Sequence, residues 1–255
     1  MEFALSPDTS RFLAREHRLL IGGEWVNPVS GARLDVINPA TETVVAQCAA
    51  AGPADVERAV DAARGAFDGG PWPAMGPSER GELLWRLADA VEARAEVFTQ
   101  LEILDNGMPL TTAARHAASG AARMLRYYAG WPNKIAGLTI PADARPGQDA
   151  APLTYTRREP VGVAAQIIPW NYPLGMAAMK LGPALACGCA VILKPDEHTP
   201  LSALYLGELI RESGIPPGVV NIVPGTGELA GACLLYTSPS PRDPLRYLVC
   251  RLLLE

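Results

Sequence analysis

From residue 19 to 46 apolar and polar positions alternate in short runs, LLIGGEWV and then LDVINPATETVVAQ. This is the two-residue period of half-buried strands, and Gly22-Gly23 and Asn27-Pro28 mark turns between them. A small β-hairpin region is therefore expected to open the fold. From Pro53 the period lengthens: Val56, Ala59, Val60, Ala63 and Phe67 recur on one helical face, with Gly69-Gly70 just beyond its end. A second, longer helix is expected from a cap at Ser78 through Leu83, Leu87, Val91, Phe98 and Leu101 to near Gly107, and a third from about Thr111 to Trp131. Between Ile140 and Pro160 the helical period disappears. Pro141, Pro146, Gly147 and Pro152 mark a loop there, followed by the alternating strand LTYTRR.

A regular series follows. The apolar strand VGVAAQII leads to a helix over about 174–187, a strand AVILK, a helix over 199–213 that Thr199 can cap with Pro200 at its first position, and a strand VVNIV. Strands apolar nearly throughout, joined by helical crossovers, predict an α/β fold: a Rossmann-like parallel sheet covered by helices on both faces. Such sheets bind ligands at the carboxyl ends of their strands. From Leu234 the character changes abruptly. YTSPSPRDP is a Ser/Pro-rich breaker and RYLVCRLLLE is too short to close a sheet, so a tail of low order or a foreign reading is expected there.

Composition narrows the class. The chain has 255 residues, 49% hydrophobic and 19% charged, a globular mix with no low-complexity period. The net charge is −5, from 22 basic and 27 acidic residues, and the basic ones are scattered, so no nucleic-acid partner is expected. The longest apolar run, Leu181 to Leu193, is interrupted by Gly182, Pro183 and Gly188 and falls short of the roughly 20 residues of a membrane span. The first ten residues have neither a basic segment nor an apolar one, and Glu16 interrupts the Arg11–Arg18 stretch that a transit segment would need. Five cysteines, odd in number and without framework spacing, fit a reducing cytoplasm.

The βαβαβ pattern aims three strand ends at one crevice. In IPWNYP, Pro169 and Pro173 bracket Asn171, whose amide can donate to a developing oxyanion or merely close an Asx-turn. In LKPDEHTP, Lys194 stands before Pro195 with Glu197 three residues on. The two can hydrogen-bond the ribose of a dinucleotide or form a solvated surface pair. In VPGTGELAG, Gly225, Gly227 and Gly231 allow a phosphate to approach backbone amides or make a plain tight turn. The spacing is not G-x-G-x-x-G, and no acidic residue follows about 20 positions later. Cys187 and Cys189 have no partner histidines nearby, and His17, His116 and His198 are isolated, so no metal site is expected.

Five segments carry a resemblance: LLIGGEWV, VINPATETVVA, LRYYAGW, EPVGVAAQIIPWNYPLGMAAMKLGPALACGCAVILKP and PPGVVNIVPG. Over about residues 19–232 the chain resembles the NAD(P)-dependent aldehyde dehydrogenase superfamily. The resemblance implies oxidation of an aldehyde to a carboxylic acid with NAD, NADP being the alternative cofactor. In that chemistry a cysteine thiolate attacks the carbonyl, hydride passes to the nicotinamide, and a glutamate activates the hydrolytic water. It further implies that Asn171 helps to hold the oxyanion, that Lys194 and Glu197 contact the adenosine ribose, that Ile167, Pro169 and Trp170 line the cofactor path, and that Gly227 lies close to the dinucleotide.

The same resemblance divides the chain into an extension (1–18), a cofactor domain (19–140 and 161–232), an oligomerisation strand segment (141–160) that implies a homo-oligomer, and a non-family tail (233–255). After about Ala232 it breaks, and neither the nucleophilic cysteine nor the general-base glutamate has a counterpart. The expectation is a fragment of the enzyme, inactive in isolation and with its sheet incomplete. The alternative is a non-catalytic nucleotide-binding or subunit-interaction module.

Overall fold

The computed structural model describes residues 4–144 and 150–237. Its first element, helix α1 (Pro7–Leu13), is capped by Ser6, whose hydroxyl accepts the Thr9 N–H at 3.2 Å, and it buries Phe12 in the core. Strands β1 (Leu19–Ile21) and β2 (Glu24–Val26) pair around Gly22 and Gly23, both at positive φ, 63° and 85°. Two-residue hairpins need that backbone, and glycine adopts it without strain. Strands β3 (Arg33–Asn38) and β4 (Thr43–Ala49) form a separate antiparallel pair.

Five helices follow: α2 (Pro53–Asp68), α3 (Pro71–Ala74), α4 (Pro77–Ala93), α5 (Ala95–Asn106) and α6 (Leu110–Ala129). The single long helix expected from Ser78 to Gly107 is thus two, broken at Arg94 (φ −106°, ψ 25°). Val91 and Phe98 are seven residues apart, about two turns, so their apolar faces stay in phase across the break and the period could not reveal it. Nor does Ser78 cap α4. The carboxylate of Glu79 reaches back to the Gly76 N–H at 2.7 Å, because an anion in the first turn also favours the positive end of the helix dipole.

Strands β5 (Thr139–Ile140) and β6 (Thr154–Tyr155) make a small antiparallel ribbon, exposed on both sides. Then β7 (Val163–Ile167), α7 (Pro173–Cys187), β8 (Ala190–Lys194), α8 (Leu201–Glu212) and β9 (Val220–Ile222) give the expected βαβαβ. The sheet runs β2-β1-β9-β8-β7: β7, β8 and β9 are parallel, and β1 joins β9 antiparallel, so the first hairpin extends the parallel sheet. After β9 a π-helical turn (227–231) leads into α9 (Ala232–Thr237). Of the tail expected over 233–255, residues 233–237 lie in α9 and the rest lies outside the described residues. No helix among the described residues is long and apolar enough to cross a membrane.

Alternate strand residues face opposite layers. Leu20, Val191, Leu193, Val220 and Ile222 pack with α4 to α8, whereas Leu19, Ile21, Ala190, Ile192 and Val223 pack with Val56, Ala59 and Ala63 of α2. Helices therefore cover both faces. The middle residue of β9 is polar. Asn221, fully buried, accepts the Gly22 N–H at 2.9 Å and donates to Gly218 O at 2.8 Å and Val191 O at 3.3 Å, so its amide ties the hairpin turn to β8 and β9.

His17 supplies a test of the packing. Its ring lies 4.4 Å from that of Phe12, and Nε2 is buried without a partner among the described residues. Burial, helped by repulsion from Arg15, pushes its pKa down to about 4. The unfolded chain takes up this proton near pH 6.5 and the folded chain does not until about 4, so stability is lost as pH falls through that window. The loss attributable to His17 should approach about 3 kcal/mol. His17→Phe should flatten this acid slope in urea titrations between pH 7 and 4.5; a slope equal to that of the unaltered chain would assign the loss to other groups.

Candidate functional site

The last residues of β7 and β8 stand side by side, Ile167 opposite Lys194, and the Ile168 N–H extends the ladder to Lys194 O at 3.1 Å. Beyond this point both chains leave the sheet, as does the chain after β9, and the space between them is the crevice. Lys194 is only 2% exposed. A buried ammonium is costly unless it is paired and hydrogen-bonded. Here it donates to Glu197 Oε2 at 3.1 Å and Pro195 O at 3.1 Å. The other carboxylate oxygen, Glu197 Oε1, accepts the Gly227 N–H at 3.2 Å. Three predicted residues from two different strand ends thus form one hydrogen-bonded cluster, and Lys194 and Glu197 are not a solvated surface pair. Burial pushes the Glu197 carboxyl up, but hydrogen bonds from its own N–H, from Gly227 and from Lys194 outweigh this and hold it below the usual range.

The glycines after β9 have separate roles. A Cβ on Gly225 would lie 2.8 Å from Ala51 O and 2.9 Å from Ala230 Cβ, so this position is closed to any side chain. A Cβ on Gly227 would meet nothing within 4 Å. Gly225 is a packing glycine, whereas Gly227 has open space where a side chain would stand. Gly231 packs against the aliphatic stem of Lys194.

Beside this cluster Ile167, Pro169, Trp170 and Asn171 are exposed. The Asn171 amide makes no hydrogen bond among the described residues, so the Asx-turn does not form and its donors remain free.

The residues that hold these loops lie on α5 and were not found from the sequence. Glu102 Oε1, buried, accepts the Leu174 N–H at 3.0 Å in the first turn of α7 and the Ser202 hydroxyl at 2.7 Å in the first turn of α8. Asp105 Oδ2 accepts the Leu201 N–H at 2.9 Å, and Asn106 Nδ2 donates to Trp170 O at 2.7 Å. Neither α7 nor α8 has a side-chain cap of its own. Thr199 in particular does not cap α8: the helix begins one residue later than expected, with Pro200 at the cap position, and Thr199 Oγ1 is buried without a partner among the described residues. The Asp105 carboxyl takes the place of that hydroxyl, because its Oδ2 reaches the Leu201 N–H from α5. A signal for this was present. Two acids in the last turn of a helix oppose its dipole, so they need partners elsewhere.

The other candidates stay apart. Cys48 is buried, and burial pushes its thiol up to about 12; the buried Cys189 thiol is raised as well. Cys187 is exposed but closes α7 at the end away from the crevice, about 20 Å along the helix. A groove of about 810 Å³ lies at the opposite edge of the sheet, between α1, the β1–β2 hairpin and the end of α8, and none of the predicted residues line it.

The architecture and the paired strand ends define a dinucleotide-binding type of α/β unit, and comparison with known proteins gives the family. The aldehyde dehydrogenase family profile matches residues 25–241. Aldehyde dehydrogenase 1A1 of Mus musculus is 50% identical over 218 residues, 85% of this chain and 42% of its own length. Aldehyde dehydrogenase family 2 member B4, mitochondrial, of Arabidopsis thaliana is 50% identical over 217 residues, 85% of this chain and 39% of its own length. Among solved structures, the NAD+ complex of aldehyde dehydrogenase from Bacillus cereus is similar with a TM-score of 0.88 and 47% identity, covering 92% of this chain and 47% of that one. The chain belongs to the aldehyde dehydrogenase family, and it spans less than half the length of these relatives.

The caps generate a prediction. Glu102→Ala strands a buried N–H and a buried hydroxyl and should cost about 2 kcal/mol or more, read as a lower urea midpoint. Burial pushes Glu102 up, and burial together with the nearby Glu102 charge pushes Asp105 well up. The folded chain therefore keeps protons that the unfolded chain has released, and stability falls as pH rises from the unfolded carboxylate range through the raised values. Asp105→Asn should keep an acceptor for the Leu201 N–H and remove its share of that fall, so the variant should gain on the unaltered chain from pH 4.5 to 7.

Proposed function

We propose that the crevice holds the adenosine end of a nicotinamide dinucleotide, and that the whole protein oxidises an aldehyde to a carboxylic acid. The observation that carries this is the buried Lys194 paired with Glu197, itself tied to the Gly227 amide, at the carboxyl ends of parallel strands. The groups suit a ribose. An ammonium has three donors and Lys194 uses two on the protein, while the Glu197 carboxylate, with about four lone-pair sites and three hydrogen bonds, keeps room for a hydroxyl. Gly227 leaves open space where a side chain would stand, and Ile167, Pro169 and Trp170 offer exposed surface beside the pair.

When bound, the nicotinamide takes up the hydride lost by the substrate carbon. Asn171 donates a side-chain N–H to the aldehyde oxygen, where negative charge develops. In this reading 19–140 and 161–232 make the cofactor domain, with 1–18 as an extension, and the family match runs on to 241, into the stretch expected as a non-family tail. The strand segment 141–160 carries subunit contacts of a homo-oligomer, a reading supported by exposed Leu153 and Tyr155 within it and exposed Leu138 and Ile140 just before it. Cys48, Cys187 and Cys189, none of them in a disulfide, support a cytoplasmic setting. A second reading, a non-catalytic nucleotide-binding or subunit-interaction module, is favoured by one observation: the raised thiols of Cys48 and Cys189 are poor nucleophiles, since only the thiolate attacks.

Cofactor choice follows from Glu197. If its carboxylate accepts from the adenosine ribose, it lies close to the 2′ position where NADP carries a phosphate, and desolvation strengthens the repulsion. In calorimetric titration of the chain, NAD should bind roughly tenfold more tightly than NADP, a difference of about 1.4 kcal/mol. Glu197→Gln should narrow that gap, and Lys194→Ala should weaken both ligands. Tighter binding of NADP, or a ratio indifferent to Glu197→Gln, sinks the ribose assignment. The 255-residue chain by itself should form no NADH from aldehydes, read at 340 nm; turnover abolished by substituting one of its own cysteines would overturn that expectation.

A further inference from the structure

We infer that Asn106 is a positioning residue for the turn 168–173, fixing the backbone that carries Trp170 and Asn171 into the crevice. After the Ile168 N–H bonds Lys194 O, the chain runs free of the sheet until Leu174 is held by Glu102. Pro169 and Pro173 lack N–H groups, so this stretch can donate at only three residues. Among the described residues, the hydrogen bond made to 169–171 is the one from Asn106 Nδ2 to Trp170 O, at 2.7 Å. It sits on the peptide unit that leads into Asn171. Without it, rotation about that unit would swing both exposed side chains.

Asn106 is itself firmly set. It is the last residue of α5, which closes on Gly107 in the left-handed region (φ 73°), with the Gly107 N–H bonded to Ile103 O at 3.1 Å and the Met108 N–H to Glu102 O at 3.2 Å. That closure satisfies the last carbonyls of the helix and holds its final turn rigid. Glu102, Asp105 and Asn106 stand at i, i+3 and i+4, on one face. The two acids clamp the helix starts after the turn and after β8, and the amide clamps the turn itself. A carboxamide is needed at 106 because the partner is a carbonyl oxygen, which a carboxylate would repel.

The inference rests on the dinucleotide reading for its ligand but not for its geometry, and two measurements on the 255-residue chain separate them. The first is backbone 15N relaxation, read as order parameters at Trp170, Asn171 and Tyr172. Asn106→Ala should lower those order parameters, while Asn106→Gln, which keeps the donor, should recover much of the rigidity. The second is calorimetric titration with NAD, where Asn106→Ala should weaken binding roughly five- to tenfold, the worth of one such hydrogen bond, and Asn106→Gln should restore it. Unchanged order parameters in Asn106→Ala, or Asn106→Gln as mobile as Asn106→Ala, overturns the positioning role whether or not NAD binds. If the unaltered chain binds NAD and Asn106→Ala binds it equally well, the role is likewise overturned. Failure of the unaltered chain to bind NAD counts against the cofactor reading alone, and the relaxation result still decides the role of Asn106.

Discussion

The carboxylate of Glu102, buried among three helices, is the interaction on which the rest of the crevice depends. Two helices of the βαβαβ unit begin beneath it without caps of their own, and one of its oxygens serves both, through the Leu174 N–H and the Ser202 hydroxyl. A helix start leaves unsatisfied N–H groups, and in a buried layer water cannot supply the acceptors. The caps must therefore come from another element. Supplying them from α5 makes the placement of α7 and α8 a tertiary matter, and with it the direction in which each strand-end loop leaves the sheet.

This arrangement divides the work among layers. The sheet sets the spacing of the strand ends, with Ile167 beside Lys194 by register alone. The Asn221 amide holds β8, β9 and the hairpin turn in one frame. The α5 face then fixes the loops above that frame. Lys194 can be buried because its partners, Pro195 O and Glu197, come from its own loop, and Glu197 in turn ties the Gly227 turn to it.

The sheet and its crossovers were legible because parallel strands buried on both faces carry an unmistakable apolar run, and AVILK was bounded to the residue. The strand-end residues Lys194, Glu197 and Gly227 were legible as types, whereas their convergence depends on how the turn after β9 folds back, which no spacing rule encodes. The break at Arg94 was hidden because two whole turns keep Val91 and Phe98 in phase. The caps at Ser78 and Thr199 were misjudged for a common reason: local capping rules weigh hydroxyls near the helix start, and in both cases a carboxylate bonded the end instead, from the first turn in α4 and from 96 residues away in α8.

The two glycines of the turn after β9 differ in what they are shielded from. Gly225 is hemmed in by Ala51 and Ala230, so every side chain placed there collides with the scaffold, and its identity is owed to folding. Gly227 faces open space, so a side chain there leaves the fold unharmed and obstructs only what approaches from outside. Across many sequences of this kind, the first position would stay glycine even in descendants that had lost their ligand, while the second would drift as soon as the ligand was no longer needed. Variation at 227 against constancy at 225 would thus record when a lineage stopped using its crevice while still keeping its shape.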